Sequence, residues 1–345
     1  MLLYGANGYT GRLVAGLAAE HGIRPVLAGR DSAAIAGLGA AHGLATRVFA
    51  LDGDVRTHLA GVDVVLNCAG PFRRTYAPLV DACIATGAHY IDVTGEIDVF
   101  EAIAGRDAAA RAAGVMLLPG AGYDVVPTDC LAAHVAARVP RATRLFIGIS
   151  GSGRLSRGTA TTALENSGGG GRIRRAGAIV TVPTGWRTRR IDFGRGPEPA
   201  VTIPWGDVAT AYHSTGIPDI EVYAAAGRGM RAALRLLRLA GPLVRSGPVQ
   251  RALLRRIRSG PAGPTPDELE HGTSAVWARA EDDAGHAAET RLHGPNGYAL
   301  TARTALLTVR RVLDGAAPSG FQTPSRAYGA DFVLEVPGTR RVDVA

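Results

Sequence analysis

The sequence predicts an α/β fold, with a doubly wound parallel sheet first and a second domain of mixed or antiparallel α+β type. Over the first 140 residues, short apolar runs alternate with helical segments, which is typical of a parallel sheet covered on both faces. After about residue 142, strand-like runs follow one another with few helices between them, which favours a mixed or antiparallel sheet. At 345 residues, the chain is long enough for two such cores.

We predict a first domain over residues 1–140, a second over 141–297 and a carboxyl-terminal segment, 298–345, that packs back on the first. The last assignment rests on the amphipathic run from Tyr298 to Leu313. In the first domain the apolar runs predict strands near 2–4, 25–28, 46–49, 62–66, 89–93 and 115–118. The segments between them predict helices near 10–20, 32–42, 76–86, 98–113 and 128–138.

The first candidate site is the stretch from Leu2 to Arg12, where a strand feeds a glycine turn that opens a helix. Such a turn binds a dinucleotide pyrophosphate, because glycine lets the backbone approach and the N–H groups at the helix start face the negative charge. The spacing is GxxGxxG, so the strand–turn–helix setting is stronger evidence than the pattern, and an ordinary glycine-rich turn is the alternative. The predicted cofactor contacts here are Gly5, Asn7, Gly8, Tyr9, Thr10 and Gly11.

The end of the second apolar run indicates which dinucleotide is bound. Arg30 stands there, about twenty residues past the glycine turn, with Asp31 one step beyond. A free ribose 2′-hydroxyl favours an acid at this strand end and a 2′-phosphate favours an arginine, so we predict NADP(H) over NAD(H). Asp31 either opposes that preference or caps the following helix. Asp52, after the third strand, is a predicted contact at the adenine end or a solvated loop acid.

The fourth strand runs into a loop of small residues before a proline, and Cys68, Ala69, Gly70 and Pro71 are the predicted contacts there. In a doubly wound sheet this carboxyl end lies beside the switch point, where the nicotinamide half would bind. Small residues and a rigid proline suit a backbone pressed against the cofactor. We interpret Cys68 as a packing residue rather than a reactive thiol, because no partner base is apparent nearby.

Two acids follow the next two strands at the same edge of the predicted sheet. Glu96 ends the fifth strand's turn and Asp124 follows the sixth strand. Each is either a working carboxylate or a group that caps a helix or closes a turn. Thr128 or Asp129 is predicted to be the N-cap of the next helix.

All 38 basic residues are arginines, and the sequence contains no lysine. This excludes a Schiff-base lysine and a lysine general acid or base. The net charge of +8 suggests an acidic partner, but no nucleic-acid-binding motif accompanies it, so we predict no nucleic-acid role.

The cysteines and the hydropathy predict a reducing compartment and no membrane span. Cys68, Cys83 and Cys130 are odd in number and lack metal-ligand spacing, so we predict neither a disulfide framework nor a metal site. The sequence has no run of about 18 apolar residues. The first predicted strand starts at residue 2, so we expect no signal peptide and a cytoplasmic protein.

Residues 228–258 form an arginine- and leucine-rich segment. Its arginines recur at helical spacing, so they share one stripe: Arg228, Arg231, Arg235 and Arg238, continued by Arg251, Arg255, Arg256 and Arg258. This surface could contact membrane lipid or an acidic carrier protein, which would make the protein peripheral to the membrane. The alternative is a helical hairpin that buries its leucines and leaves its arginines in water.

Motifs that span nearly the whole chain carry a family resemblance: Tyr4–Gly11, Ala28–Arg30, Asn67–Phe72, Tyr90–Glu96, Gly122–Asp129, Ser156–Thr159, Ser214–Pro218 and Gly320–Pro324. On these motifs, the chain resembles the saccharopine dehydrogenase-like reductases, and within them the bacterial trans-acting enoyl reductases. The resemblance implies a Rossmann domain, a second mixed-sheet domain and use of NADP(H). The complete lack of lysine departs from the saccharopine-forming relatives and favours simple hydride reduction over amino-acid condensation.

We therefore expect an NADPH-dependent reductase, in the form of a homodimer, that reduces a conjugated C=C bond of a lipidic or carrier-bound small molecule. Tyr123 and Asp124 are the leading proton-donor candidates because they follow the sixth strand at the switch-point edge. Tyr212, next to His213, is the second choice. Water or the substrate could supply the proton instead.

Two alternatives stay open at this stage. An imine reductase, or an opine- or saccharopine-type dehydrogenase, would act on the C=N bond of an amino-acid-like substrate. It would need arginines that clamp a carboxylate, and Arg73, Arg74 and Arg157 are candidates. A non-catalytic NADPH-binding protein would bind the cofactor beside a blocked cleft.

Overall fold

A computed structural model of the chain describes residues 1–151, 153–166, 170–227, 229 and 247–344. By its contacts, the chain divides into two compact units. The first unit comprises Met1–Val126 and Tyr298–Tyr328, and the second comprises Pro127–Gly297 and Gly329–Ala345.

A seven-stranded parallel sheet forms the centre of the first unit. The strands lie in the order β3-β2-β1-β4-β5-β6-β15, which is the doubly wound order with its switch point between β1 and β4. Their bounds are β1 Leu2–Tyr4, β2 Val26–Gly29, β3 Thr46–Val48, β4 Val64–Asn67, β5 His89–Asp92, β6 Met116–Leu118 and β15 Gly320–Phe321.

Helices cover both faces of this sheet. Their bounds are α1 Tyr9–Leu17, α2 Ser32–His42, α3 Tyr76–Thr86, α4 Ile97–Ala104, α5 Asp107–Ala112, α11 Gly297–Leu313 and α12 Pro324–Tyr328. Side chains alternate along each strand, so that Leu3 faces α1, α2 and α11, while Leu2 and Tyr4 face α3, α4 and α5. On strands β1, β2, β4 and β6 both faces are apolar and largely buried, which explains why these strands are continuous apolar runs in the sequence.

The second unit contains a nine-stranded mixed sheet. Seven strands lie in the order β10-β11-β12-β7-β13-β14-β16, with β8 paired to β12 and β9 paired to β8. The pair β7–β12 is parallel and the other pairs are antiparallel, so the predicted fold class is confirmed for both halves. The strands are β7 Arg144–Ser150, β8 Gly171–Arg175, β9 Ala178–Val182, β10 Thr188–Asp192, β11 Pro197–Thr202, β12 Asp219–Ala225, β13 Thr273–Glu281, β14 Ala287–Pro295 and β16 Arg340–Val344.

The first helix of the second unit begins two residues before the predicted start at residue 128. The helices of this unit are α6 Val126–Arg138, α7 Arg157–Asn166, α8 Asp207–Thr215, α9 Gly247–Ser259 and α10 Pro266–His271. Since α6 begins at Val126, the expectation that Thr128 or Asp129 caps it is wrong. Both side chains form hydrogen bonds with residues of α8 instead. Thr128 Oγ1 donates to Asp207 at 2.8 Å, and Asp129 accepts from Ser214.

The division of the chain differs from the predicted domains in two places. Residues 127–140 belong to the second unit, because α6 is bonded to α8 through buried polar groups. Residues 329–345 also belong to it, because β16 pairs with β14. Asp343 on β16 accepts hydrogen bonds from Thr290 at 2.7 Å and from Arg138 at 2.8 Å. The segment 298–328 is the part that completes the first unit.

The arginine-rich segment is described only in part. Arg228, Arg231, Arg235 and Arg238 lie outside the described residues. In α9, Arg251, Arg255 and Arg256 are exposed. Among the helices of the described ranges, none combines the length and the apolar character that crossing a membrane requires.

Candidate cofactor-binding site

The glycine turn after β1 is built by backbone packed against backbone. The N–H groups of Gly5 and Ala6 donate to the carbonyl oxygen of Ala28 on β2, at 2.9 and 3.2 Å. Gly5 has φ +79°, and a Cβ atom there would lie 2.7 Å from the nitrogen of Ala69. A side chain at position 5 would therefore be strained and would collide with the loop after β4.

Helix α1 starts from this turn with Gly8 as its N-cap. Among the described residues, no side chain caps this helix start, and its first turn contains no acid. The first N–H groups of a helix lack intrahelical acceptors and carry the positive end of the helix dipole. Tyr9, Thr10 and Gly11 form this first turn, and Asn7 precedes it. The turn and the helix start fit the pyrophosphate of a dinucleotide.

Arg30 and Asp52 lie close to the hydroxyl of Tyr4, at the carboxyl ends of β1, β2 and β3. Burial raises the pKa of Tyr4, the Arg30 guanidinium lowers it, and the Asp52 carboxylate raises it. The neighbouring ring of Phe49 lies 5.0 Å from the Tyr4 ring and stacks on His58 at 4.4 Å. Arg30 is exposed, as a side chain that meets a 2′-phosphate would be.

Asp31 has the structural role that the sequence left open. It is the N-cap of α2, and its Oδ1 accepts the N–H of Ala34 at 3.0 Å. The carboxylate is thereby engaged with the helix, and Arg30 supplies the charge at the end of β2.

The loop after β4, residues 68–75, is held by side chains. Asn67 Oδ1 accepts the N–H of Ala69 at 3.0 Å, and its Nδ2 donates to Thr75 Oγ1 at 3.2 Å. Thr75 Oγ1 in turn donates to the carbonyl oxygen of Ala69 at 2.7 Å. These bonds fix Ala69, the residue against which Gly5 packs. The peptide bond between Gly70 and Pro71 is cis.

Cys68 lies in this loop as a packing residue. Burial, with a smaller contribution from Asp92, raises the pKa of its thiol. The thiol therefore stays protonated near neutral pH and is a poor nucleophile.

Glu96 holds the far end of the same loop. It stands at the start of α4, but its side chain makes no cap bond there. Its Oε1 accepts the N–H of Phe72 at 2.7 Å, and its Oε2 accepts the N–H of Arg73 at 3.1 Å. Glu96 therefore occupies the N-cap position of α4, but its carboxylate binds the loop after β4 instead of the helix N–H groups. A catalytic role for Glu96 stays a prediction.

A buried polar network lies beneath these loops, and sequence reasoning missed it. Asp92 accepts from Tyr90 Oη at 2.8 Å and from the N–H groups of Thr94 and Gly120 at 2.9 Å each. Asn67 Nδ2 also donates to Tyr90 Oη, at 3.1 Å. Burial raises the pKa of Asp92 to about 7. The signal that could have found the network is a polar residue ending each of two adjacent apolar strands.

Asp124 lies in the turn after β6, against Gly95. A Cβ atom at Gly95 would lie 2.8 Å from Asp124 Oδ2, so the missing side chain makes room for this carboxyl group. Burial raises the pKa of Asp124 to about 6. Tyr123 is 5% exposed, and its N–H donates to Thr301 Oγ1 at 2.9 Å.

The other proton-donor candidate lies in the second unit. Tyr212 is on α8, and the Arg174 guanidinium stacks over its ring at 4.2 Å. His213 follows it on the same helix. The structure therefore brings Asp124 together with the turn 94–96 in the first unit and places Tyr212 beside β8 in the second.

Fold and glycine turn together define a Rossmann-type dinucleotide-binding domain. Residues 1–118 match the profile of the saccharopine dehydrogenase NADP-binding domain. The match confirms the predicted NADP(H) cofactor and the predicted family resemblance.

Two relatives named as trans-acting enoyl reductases are similar to part of this chain. A trans-acting enoyl reductase of Mycobacterium leprae is 34% identical over 139 residues, or 37% of this chain and 33% of its own. A Mycobacterium tuberculosis protein provisionally named a trans-acting enoyl reductase is 32% identical over 187 residues, or 48% of this chain and 43% of its own. The chain thus aligns with less than half the length of either relative.

The apo saccharopine dehydrogenase (L-Glu forming) of Saccharomyces cerevisiae has a similar structure, with a TM-score of 0.66. The similarity covers 100% of this chain and 99% of the yeast chain at 15% identity. At that identity, the likeness establishes the shared fold, including the second mixed-sheet unit.

Proposed function

We propose that this protein is an NADPH-dependent reductase of a conjugated carbon–carbon double bond in a lipid or polyketide-like small molecule. The observation that carries the proposal is that one turn, residues 94–96, lies against both the loop after β4 and the half-buried Asp124. The identities of 32% and 34% to proteins named as enoyl reductases support the enoyl class. When bound, NADPH supplies the hydride.

The residues that would hold the cofactor follow the order of the sheet. The turn from Gly5 to Gly11 would hold the pyrophosphate, and Arg30 the 2′-phosphate. Asp52 would lie at the adenine end, and the loop 68–71 would lie beside the nicotinamide, at the switch point between β1 and β4.

In this proposal, Asp124 donates the proton to the carbon that does not receive the hydride. A general acid works best when its pKa lies near the working pH. Because burial raises the pKa of Asp124 to about 6, this carboxyl keeps a protonated fraction near neutrality that an exposed aspartate lacks. The absence of a side chain at Gly95 leaves room for this carboxyl group beside the turn 94–96.

Reduction of a C=N bond is the second candidate function. Arg73 and Arg74 are exposed in the loop after β4 and favour it, because they could bind a substrate carboxylate. Arg157 is a third candidate, and its Nε donates to the carbonyl oxygen of Gly260 at 2.8 Å. The lack of lysine removes the acid/base group of amino-acid condensation and leaves simple reduction.

The test is NADPH oxidation, followed by absorbance, against enoyl thioesters, α,β-unsaturated ketones and cyclic imines. We expect turnover of the unsaturated carbonyl compounds. Asp124→Asn should lower kcat by about 100-fold, because the proton donor is lost, and should change the NADPH Kd by less than about threefold. The matched control is Asp63→Asn, at an exposed acid just before β4.

Three other outcomes would contradict this proposal or part of it. Turnover of imines alone would replace the enoyl proposal with the C=N alternative. NADPH binding without turnover of any substrate class would favour the non-catalytic alternative. An Asp124→Asn variant with the wild-type kcat would remove Asp124 from the proton-transfer step.

A further inference from the structure

Glu96 contacts a loop that lies 23 and 24 residues upstream of it. Each carboxylate oxygen accepts one backbone N–H, from Phe72 and from Arg73. These are the first two N–H groups of a short 3-10 helix, Phe72–Arg74, and such groups lack acceptors within their own helix. Glu96 is 6% exposed, so its carboxylate replaces water as the acceptor for both.

The loop that Glu96 holds is packed against the glycine turn. Asn67 and Thr75 fix it at Ala69, and Gly5 lies against the backbone of that residue. Glu96 fixes the same loop three and four residues later. The stretch between these anchors is the one that lies at the switch point, on the nicotinamide side of the site.

Glu96 is itself held by hydrogen bonds that lead back to β5. Its N–H donates to Thr94 Oγ1 at 3.1 Å, and the N–H of Thr94 donates to Asp92 at 2.9 Å. Asp92 also accepts from Gly120 in the turn after β6. The loop after β4 and the turn after β6 are therefore tied to one point on β5.

We propose that Glu96 is a positioning residue of the NADP(H) site, holding the loop 68–75 in the conformation that binds the nicotinamide half. It makes no contact with the cofactor in this role. The inference rests on the cofactor part of the proposed function and is independent of which double bond is reduced.

The geometry calls for a glutamate at this position. A glutamine keeps one acceptor oxygen but turns an NH2 group toward the second backbone N–H, where two donors then oppose each other. An aspartate keeps both oxygens but is one methylene shorter. Both variants should loosen the loop and leave β1, β2 and β3 unchanged.

The test compares two ligands by calorimetry: NADPH, and 2′,5′-ADP, which contains only the adenine half. Glu96→Gln should raise the Kd of NADPH about tenfold, equivalent to about 1.4 kcal/mol, and change that of 2′,5′-ADP less than about twofold. Glu96→Asp should behave in the same way. The control is Asp107→Asn, which removes a carboxylate that accepts the N–H of Phe321 at 2.7 Å on the edge strand β15.

A merely structural role would give a different pattern. If Glu96→Gln lowers the Tm and weakens both ligands equally, or leaves the NADPH Kd unchanged, the positioning role is refuted. Asp107→Asn should lower the Tm without changing either Kd. A wild-type protein that binds NADPH but reduces no enoyl compound would refute the proposed function and leave this comparison of two ligands intact.

Discussion

The glycine turn and the loop after β4 lie against each other but are stabilised by different means. The turn at Gly5 is shaped by close backbone packing, where a Cβ atom would lie 2.7 Å from a neighbouring nitrogen. The loop at Ala69 is shaped by hydrogen bonds from Asn67, Thr75 and Glu96. The conformation of the turn thus requires that position 5 has no side chain, whereas the conformation of the loop requires the side chains that hydrogen-bond to it.

This difference determines how each region responds to substitution. Adding atoms to the turn forces the backbone apart, because neither Gly5 nor Ala69 has a flexible group that can move away. Removing an acceptor from the loop leaves a backbone N–H without a partner, which costs about 1–3 kcal/mol and permits water to enter. A single substitution in the turn should therefore cause a large loss of stability and of cofactor affinity, and a single substitution in the loop a smaller one.

The largest expected effect is from Gly5→Ala. The left-handed backbone and the collision with Ala69 should together lower the free energy of unfolding by about 3 kcal/mol and weaken NADPH binding by at least about 100-fold. Calorimetry and urea denaturation measure the two quantities. Gly16→Ala is the control: it lies in α1 with no heavy atom within 4 Å of its Cβ, and should stabilise the helix by up to about 1 kcal/mol. Wild-type NADPH affinity in Gly5→Ala would show that the turn does not hold the cofactor.

A smaller effect is expected at the adenine end. Arg30→Ala should weaken NADPH binding by about 10- to 100-fold and NADH binding by less than about threefold, because only NADPH carries the 2′-phosphate. Asp31→Ala is the matched neighbour: loss of the α2 cap should lower the free energy of unfolding by about 1 kcal/mol without changing the ratio of the two affinities. Equal weakening of both cofactors by Arg30→Ala would place the 2′-phosphate elsewhere.

The smallest effect is a pH dependence that arises beneath the loop. Burial raises the pKa of Asp92 to about 7, above the 3.8 of an exposed aspartate, so the folded state binds its proton more tightly than the unfolded state does. The contribution of Asp92 to the free energy of unfolding is therefore fully present below about pH 4 and is lost as the pH rises through 7. We expect the free energy of unfolding to fall by about 2 kcal/mol between pH 5 and 8.

Urea denaturation across that range measures the fall, and Asp92→Asn should reduce it. The asparagine has the same shape, and its oxygen can still accept from Thr94 and Gly120. Asp124 has a pKa of about 6 and contributes in the same direction, so some fall should persist in the variant. The same slope in wild type and Asp92→Asn would show that Asp92 does not titrate in this range.

The sequence predicted the parts of the site that depend on local pattern. The glycine turn lies directly between β1 and α1, and Arg30 directly follows β2, so both could be placed from strand ends alone. Helix α2 was predicted with the bounds that the structure shows. These features involve neighbours in the chain, where periodicity is informative.

The contacts of Glu96 could not be predicted, because its partners are more than twenty residues away and belong to a loop without periodicity. The network of Asn67, Tyr90 and Asp92 joins two strands whose register no local pattern shows. The strand β15 has two residues, too few for any period. The early start of α6 did leave a signal, since Pro127 is a residue favoured in the first turn of a helix.

The interrupted first unit has a consequence during synthesis. Helix α11 supplies Ala302, Leu306 and Val309 to the face of the parallel sheet that Leu3 lines, and β15 forms its edge. Residues 127–297 emerge from the ribosome before this segment does, so the part of this apolar face that α11 covers stays exposed on the nascent amino-terminal sheet until then. During that interval the nascent chain is most prone to aggregate or to require a chaperone.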